Sequence, residues 1–202
     1  MRGKTFLTVV ALLFTLALMA GCAKVPQEVV DAAKAAVDGA KAAEADRYLA
    51  DQFNAAQDSL NAATAEIAAQ ESKFALTRNY DRAKALLESA IAAANAAKDG
   101  VAAKKEEVKA EALSLWTAAQ AAVEETKKLM AKAPRGKEGK VVLEQMQAEL
   151  AGVEASLADA NNAIASGDFL GARDKAKAAS EKVNGIKQEL EDAIGKKKKM
   201  MR

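Results

Sequence analysis

Cys22 is the only thiol in this 202-residue chain, and there is no histidine. Proton transfer near neutral pH, nucleophilic attack and zinc ligation lean on those two residue types. What remains is carboxylate chemistry, and paired carboxylates are present: Glu106-Glu107, Glu124-Glu125 and Glu191-Asp192. They alternate with lysines, as in VAAKKEEVKAE from Val101 to Glu111. That is the pattern of a solvated helix face, where ion pairs contribute roughly 0.2–0.5 kcal/mol each. A carboxylate metal site between facing helices would normally add Glu-x-x-His, which this chain cannot supply. No glycine-rich phosphate loop follows a strand, and no serine sits in a strained elbow. The expectation is a protein that is not an enzyme, with no catalytic residue, no metal and no cofactor.

The thiol has a specific setting. Arg2 and Lys4 precede an apolar run, FLTVVALLFTLALMA, from Phe6 to Ala20, and Gly21-Cys22 follows. As a helix the run would extend about 22 Å. A bilayer core of about 30 Å asks for roughly 20 residues, so the run suits a signal-peptide core better than a membrane span. Leu18-Met19-Ala20-Gly21-Cys22 resembles the lipobox of bacterial lipoproteins, with Met19 where leucine is commoner. The resemblance implies cleavage between Gly21 and Cys22, a covalent lipid on the Cys22 sulfur and often an acyl chain, such as palmitate, on the new amine. Two or more chains hold a protein firmly at a membrane where one does not. Ala23, in place of the aspartate that can mark inner-membrane retention in that family, points to the outer membrane. An ordinary secretory signal and an uncleaved anchor are the alternatives.

Charge is unevenly spread. The chain carries 30 Lys+Arg and 28 Asp+Glu. The last seven residues, KKKKMMR, hold five of the bases, and residues 22–195 carry net −5. Lys196, Lys197, Lys198, Lys199 and Arg202 read either as the end of a helix, where cations favour the dipole, or as a contact with an anionic surface. Peptidoglycan, lipopolysaccharide or anionic lipid would be that surface in the envelope, and nucleic acid is not expected. The lipobox, seven-residue seams and basic end also resemble the Braun lipoprotein family, distantly. That family joins a C-terminal lysine to peptidoglycan, whereas this chain ends Met200-Met201-Arg202.

The elements that must carry these residues are helices. Alanine dominates, aromatics make up 4%, and Pro26 and Pro134 are the two prolines; alanine with Glu, Lys, Gln and Leu is a helix-forming mixture. The fold class expected is all-α: long antiparallel helical hairpins with heptad-like seams in an elongated bundle. Residues 1–21 form the cleaved signal, 22–26 the lipid attachment and short tether, and 27–132 a long hairpin. A loop over 133–139, a second hairpin over 140–195 and the basic tail over 196–202 follow. In the first arm, Phe53, Leu60, Ile67 and Phe74 recur every seven residues, with Leu49, Ala56 and Ala63 between, so the helix is expected to reach Lys73–Leu76. Val29 to Ala45 reads as a separate helix or a soft region, and residues 27–45 as the most mobile part.

Asn79 is an N-cap candidate. From it the row Tyr80, Leu87, Ala94, Val101, Val108, Leu115, Ala122 and Leu129 predicts one helix of roughly 50 residues. A kink at Gly100, or two helices turning at Asp99-Gly100, is the alternative. The third seam is Leu143, Met146, Leu150, Val153, Leu157, Ala160 and Ile164. The fourth, capped by Asp168, is Phe169, Ala172, Ala176, Ala179, Val183, Ile186, Leu190 and Ala193. A short turn at Ser166-Gly167 sets those two helices antiparallel. Trp116, with Leu113, Val123 and Met130, makes a second apolar stripe, which implies a second neighbour or a partner docked on Trp116.

RNYDRAKALLESA (78–90) and GDFLGARDKAKAA (167–179) form a weak repeat, with Tyr80 and Phe169 plugging the closed ends. Asn79-Tyr80-x-x-Ala83 and Gly167-Asp168-Phe169-x-x-Ala172 resemble the turn and second helix of tetratricopeptide repeats. Their separation, far beyond that family's period of about 34 residues, excludes an array. Most of the chain is similar to small alanine-rich helical-hairpin lipoproteins of unknown function. The function expected is a lipid-anchored cell-envelope lipoprotein on the outer membrane facing the periplasm. It would be a non-catalytic structural or protein-interaction scaffold with an envelope protein as partner. A peptidoglycan-binding tether through the lysine tail and a ligand-carrying accessory subunit are the alternatives, and the oligomeric state stays open.

Overall fold

The computed structural model describes residues 24–133 and 137–200, and side chains except at 137, 138 and 196–200. The apolar run, Cys22 with its cleavage site, and the side chains of Lys196 to Lys199 and Arg202 lie outside the described residues. Every regular element described is helical. In chain order these are α1 (Gln27–Ala42), α2 (Ala45–Tyr48), α3 (Ala50–Glu71), a 3₁₀ turn (Ala75–Thr77), α4 (Asp81–Lys132), α5 (Lys137–Ser166) and α6 (Phe169–Met200). The protein is an all-α helical bundle in two compact units, divided between Ala102 and Ala103.

In the first unit, Pro26 starts α1. Its carbonyl accepts the Val29 and Val30 N–H groups at 3.0 Å, and its own missing N–H costs nothing at a helix start. Val30, Ala33, Val37 and Ala40 recur three and four apart, and all are buried. Residues 27–42 are therefore a packed helix of their own, the first of the two readings expected for that stretch and not the soft segment. The chain leaves α1 at Glu44, whose φ of 68° is the one left-handed non-glycine conformation among the described residues. Such a conformation costs about 1–2 kcal/mol. Burial of Ala45 and Tyr48 in the short α2 offsets it.

In α3, Phe53, Ala56, Leu60, Ala63 and Gln70 are buried. The predicted row fails at its end. The helix stops at Glu71, Ile67 is only half-buried, and Phe74 is 72% exposed. The end belongs instead to Gln70. Its carbonyl oxygen accepts the Asn79 N–H at 3.1 Å and its amide donates to Glu66 at 2.7 Å.

Helix α4 is continuous over 52 residues, about 78 Å of rise. Gly100 is a packing position within it and not a break. A Cβ there would come within 2.8 Å of Leu49 Cδ1. Asn79 Oδ1 accepts the Asp81 N–H at 2.7 Å, so the expected cap is present just ahead of the helix. Leu87, Ala94, Val101 and Val108 are buried as the seven-residue row requires. After Val108 the buried positions become Ala112, Ala119, Val123 and Thr126, and Leu115, Ala122 and Leu129 are only half-buried. A row of period 7 drifts around a helix of 3.6 residues per turn, and an inserted four-residue step restores contact.

The second unit has one larger core. Met146, Leu150, Val153 and Leu157 of α5 and Ala179, Val183, Ile186 and Leu190 of α6 enclose Ala119 and Val123 of α4. Ala112, Ala163 and Ala172 form a smaller cluster backed by Ile164. The turn between α5 and α6 closes by two bonds, Asp168 N–H to Ala163 O at 2.9 Å and Gly167 N–H to Ile164 O at 3.1 Å. Gly167 has φ +84°. This is a Schellman stop, which wants glycine at its left-handed position. Phe169 is half-buried and does not plug an end as fully as Tyr80, which is 6% exposed; Lys109 Nζ lies 5.6 Å from the Phe169 ring centre.

Candidate functional site

Two of the three carboxylate pairs singled out as chemically available, Glu106-Glu107 and Glu124-Glu125, are held by lysines. Lys104 Nζ lies 2.9 Å from Glu107 and Lys109 Nζ 3.6 Å from Glu106. Lys127 Nζ bridges Glu124 at 2.9 Å and Glu154 at 2.6 Å. Lys187 Nζ, from α6, meets Glu125 of α4 at 2.5 Å. The hydrogen bond and charge of Lys187 lower the Glu125 pKa, and those of Glu125 raise that of Lys187. Hydrogen bonds that Lys127 donates to Glu154 and then to Glu124 raise its pKa. Among the described residues no three acidic, histidine or cysteine side chains gather as a metal site would need.

The second unit carries two adjoining concavities between α4 and α5. One, about 690 Å³, is lined by Trp116, Val123 and Leu157 with Gln120, Glu124 and Asn161. The other, about 700 Å³, is lined by Met130, Leu143 and Leu150 with Lys127, Lys140 and Glu144. Glu154 lines both, so the Lys127–Glu154 pair stands where they meet. Trp116 is half-buried, and its indole N–H donates to the Leu157 carbonyl at 2.9 Å. That bond makes Trp116 a wall of the groove fixed to the facing helix. The sequence reading identified no groove, although the off-seam stripe of Trp116, Val123 and Met130 was its signal. Leu113, the stripe's first member, is 40% exposed.

A second feature escaped the sequence reading because the seven-residue row absorbed it. Between α3 and α4 the chain reads SKFALTRN from Ser72 to Asn79, and Phe74 and Leu76 are each 72% exposed. The loop itself is ordered by its own bonds. Arg78 donates to the Lys73 and Glu71 carbonyls at 3.0 and 2.8 Å. The Phe74 carbonyl accepts both the N–H and the hydroxyl of Thr77, at 2.9 and 2.8 Å.

No described helix is long and apolar enough to cross a membrane. No family model, curated protein or solved structure matches the chain.

Proposed function

We propose that this chain is a lipid-anchored lipoprotein of the bacterial cell envelope, held at the outer membrane on its periplasmic side, and that it acts as a non-catalytic interaction scaffold. The observation that carries the reading is the basic start, the apolar run from Phe6 to Ala20 and Gly21-Cys22, followed almost at once by a helical body that begins at Gln27. Residues 23–26 leave little slack, so a lipid on Cys22 would hold the first unit close to the membrane face. The interaction part of the reading is supported by the open α4–α5 groove. Its apolar floor and charged rim suit an amphipathic helix, a common guest of such grooves. Carboxylates paired with lysines across the bundle support a structural surface over a reactive one.

The test is metabolic labelling. Expressed in a bacterial host supplied with labelled palmitate, the chain should take up label, partition into detergent and fractionate with outer membranes. Cys22→Ser should lose all three. Unlabelled protein from the unsubstituted chain, or label that survives the substitution, would refute the anchor. A scaffold also predicts that a photo-crosslinker at exposed Gln120, in the groove, captures a defined envelope protein in cells.

A further inference from the structure

We infer that the loop joining α3 and α4 is a membrane-contact tip, in which Phe74 and Leu76 enter the surface of an anionic bilayer. The first ground is exposure against order. Two large apolar side chains stand in water on a loop that its own hydrogen bonds fix in place, so nothing in the loop's chemistry hides them. Large apolar groups held out this way mark contact sites. The second ground is how the loop meets its polar requirement. Surface loops normally leave carbonyls to water, and a backbone group taken into apolar surroundings unpaired is costly. Here Arg78 covers the carbonyls of Glu71 and Lys73, and Thr77 covers that of Phe74. Gln70 takes the Asn79 N–H and Asn79 takes that of Asp81. The tip therefore carries much of its backbone bonding with it.

Charge names the kind of surface. The loop, residues 72–79, carries Lys73 and Arg78 and no acid, in a body that is net acidic. Beyond the loop, Arg82 is paired with Glu66 at 3.7 Å and Lys84 with Glu88 at 3.9 Å, so the net positive charge belongs to the loop itself. Lys73 and Arg78 beside an apolar pair fit anionic headgroups over acyl chains.

The third ground is which end of the first unit the tip occupies. Helix α1 packs on α3. A Cβ on Gly39 would lie 4.0 Å from Lys98 Nζ, and Leu49 meets Gly100, so the connection from α1 to α3 sits level with residues 98–100 of α4. The unit ends at Ala102, and Val30 is buried. Helix α1 therefore starts nearer Asp81 than its own end lies. From Gly39 back to Gln27 is about 18 Å, and from Lys98 back to Asp81 about 26 Å. The start of α1 falls about 8 Å short of the start of α4, and the five residues from Cys22 to Pro26 can span up to about 17 Å. A lipid on Cys22 and the Phe74–Leu76 tip can thus reach the same bilayer face. This last ground rests on the lipid-anchor reading; the first two do not.

The experiment places Phe74→Trp in the full chain, reconstituted with vesicles of phosphatidylethanolamine and phosphatidylglycerol. Emission of the unsubstituted chain, from Trp116, is subtracted. The expected result is a blue-shifted difference emission that is lost when the acyl chains are brominated, and that weakens when phosphatidylglycerol is left out. Flotation and acyl mass, measured with and without Cys22→Ser, report the anchor separately. A chain that floats while residue 74 emits as in water overturns the tip contact and leaves the anchor standing. Quenching that persists in a chain without acyl groups removes the anchor and upholds the tip. A blue shift before any vesicle is added shows that a protein surface covers the tip, and it overturns the inference too.

Discussion

Alanine at four glycines of this protein should give three different results. Gly152 lies in α5 and Gly185 in α6, and a Cβ added at either meets nothing within 4 Å. With no steric term, only backbone propensity acts, and glycine to alanine in a helix interior is worth about 0.8–1.0 kcal/mol. The two positions sit on different helices, so their effects should add to about 2 kcal/mol. In a unit of this size, 1 kcal/mol moves the midpoint by about 4–8 °C. Thermal unfolding followed by Trp116, which lies in the second unit, should therefore rise clearly for the double variant. Gly167→Ala should do the opposite, falling by about 1–2 kcal/mol, because φ of +84° is strained for any Cβ. Gly100→Ala, followed by far-UV circular dichroism, should gain less than Gly152→Ala, because Leu49 must move to admit the new carbon. A neutral or destabilising result at both Gly152 and Gly185 would refute the reasoning, since those faces would then have to be covered or the helices interrupted.

Other perturbations separate wall, core and surface. Trp116→Phe keeps one aromatic ring but loses the pyrrole ring with its bond to Leu157 O, and should cost at least about 0.5–1.5 kcal/mol by urea titration. Leu150→Ala and Leu190→Ala, at 3% and 1% exposure, should each cost about 2–5 kcal/mol. Leu113→Ala, at 40% exposure, should stay within about 0.5 kcal/mol. The Glu125–Lys187 pair predicts a pH signature. A lowered carboxylate pKa gives stability that is present above the ordinary value of 4.5 and is lost as pH falls through the lowered one. A raised ammonium pKa gives stability that is present below 10.5 and is lost as pH rises through the raised one. Any difference between the parent and Glu125→Gln should therefore appear between those limits and shrink in high salt, because both groups are exposed.

Much of this bundle is legible in residue order. The seams of α5 and α6 read directly, since Met146, Leu150, Val153, Leu157, Val183, Ile186 and Leu190 are large, apolar and spaced three and four apart. The row of uncharged residues runs past Gly100 without a change of phase, which favours one helix but leaves a kink or a turn at Asp99-Gly100 open, and α4 runs unbroken there. What failed shares one cause: periodicity reports a face and is silent about where a helix stops. Phe74 continues the row of Phe53, Leu60 and Ile67 in number only, because the helix has already ended at Glu71. Gln70, polar and therefore passed over, takes the buried position. The left-handed turn at Glu44 has no glycine to announce it. The groove beside Trp116 depends on how far apart two helices stand, which no single helix encodes.

The alanines of the first unit have a calorimetric consequence. Ala33, Ala40, Ala56, Ala63, Ala83, Ala90, Ala94 and Ala97 are all fully buried, so about half of the described core positions of this unit are alanine, alternating with Val30, Val37, Phe53, Leu60 and Leu87. An alanine loses no rotamer freedom on burial and also removes little apolar area from water. Both the gain and the loss on folding are small per residue. Heat capacity and denaturant sensitivity scale with the area exposed on unfolding. The first unit should therefore melt over a wide temperature span, with a shallow stability curve and a low denaturant slope for its length. Cooling should weaken it less than it would a leucine-rich bundle of equal size.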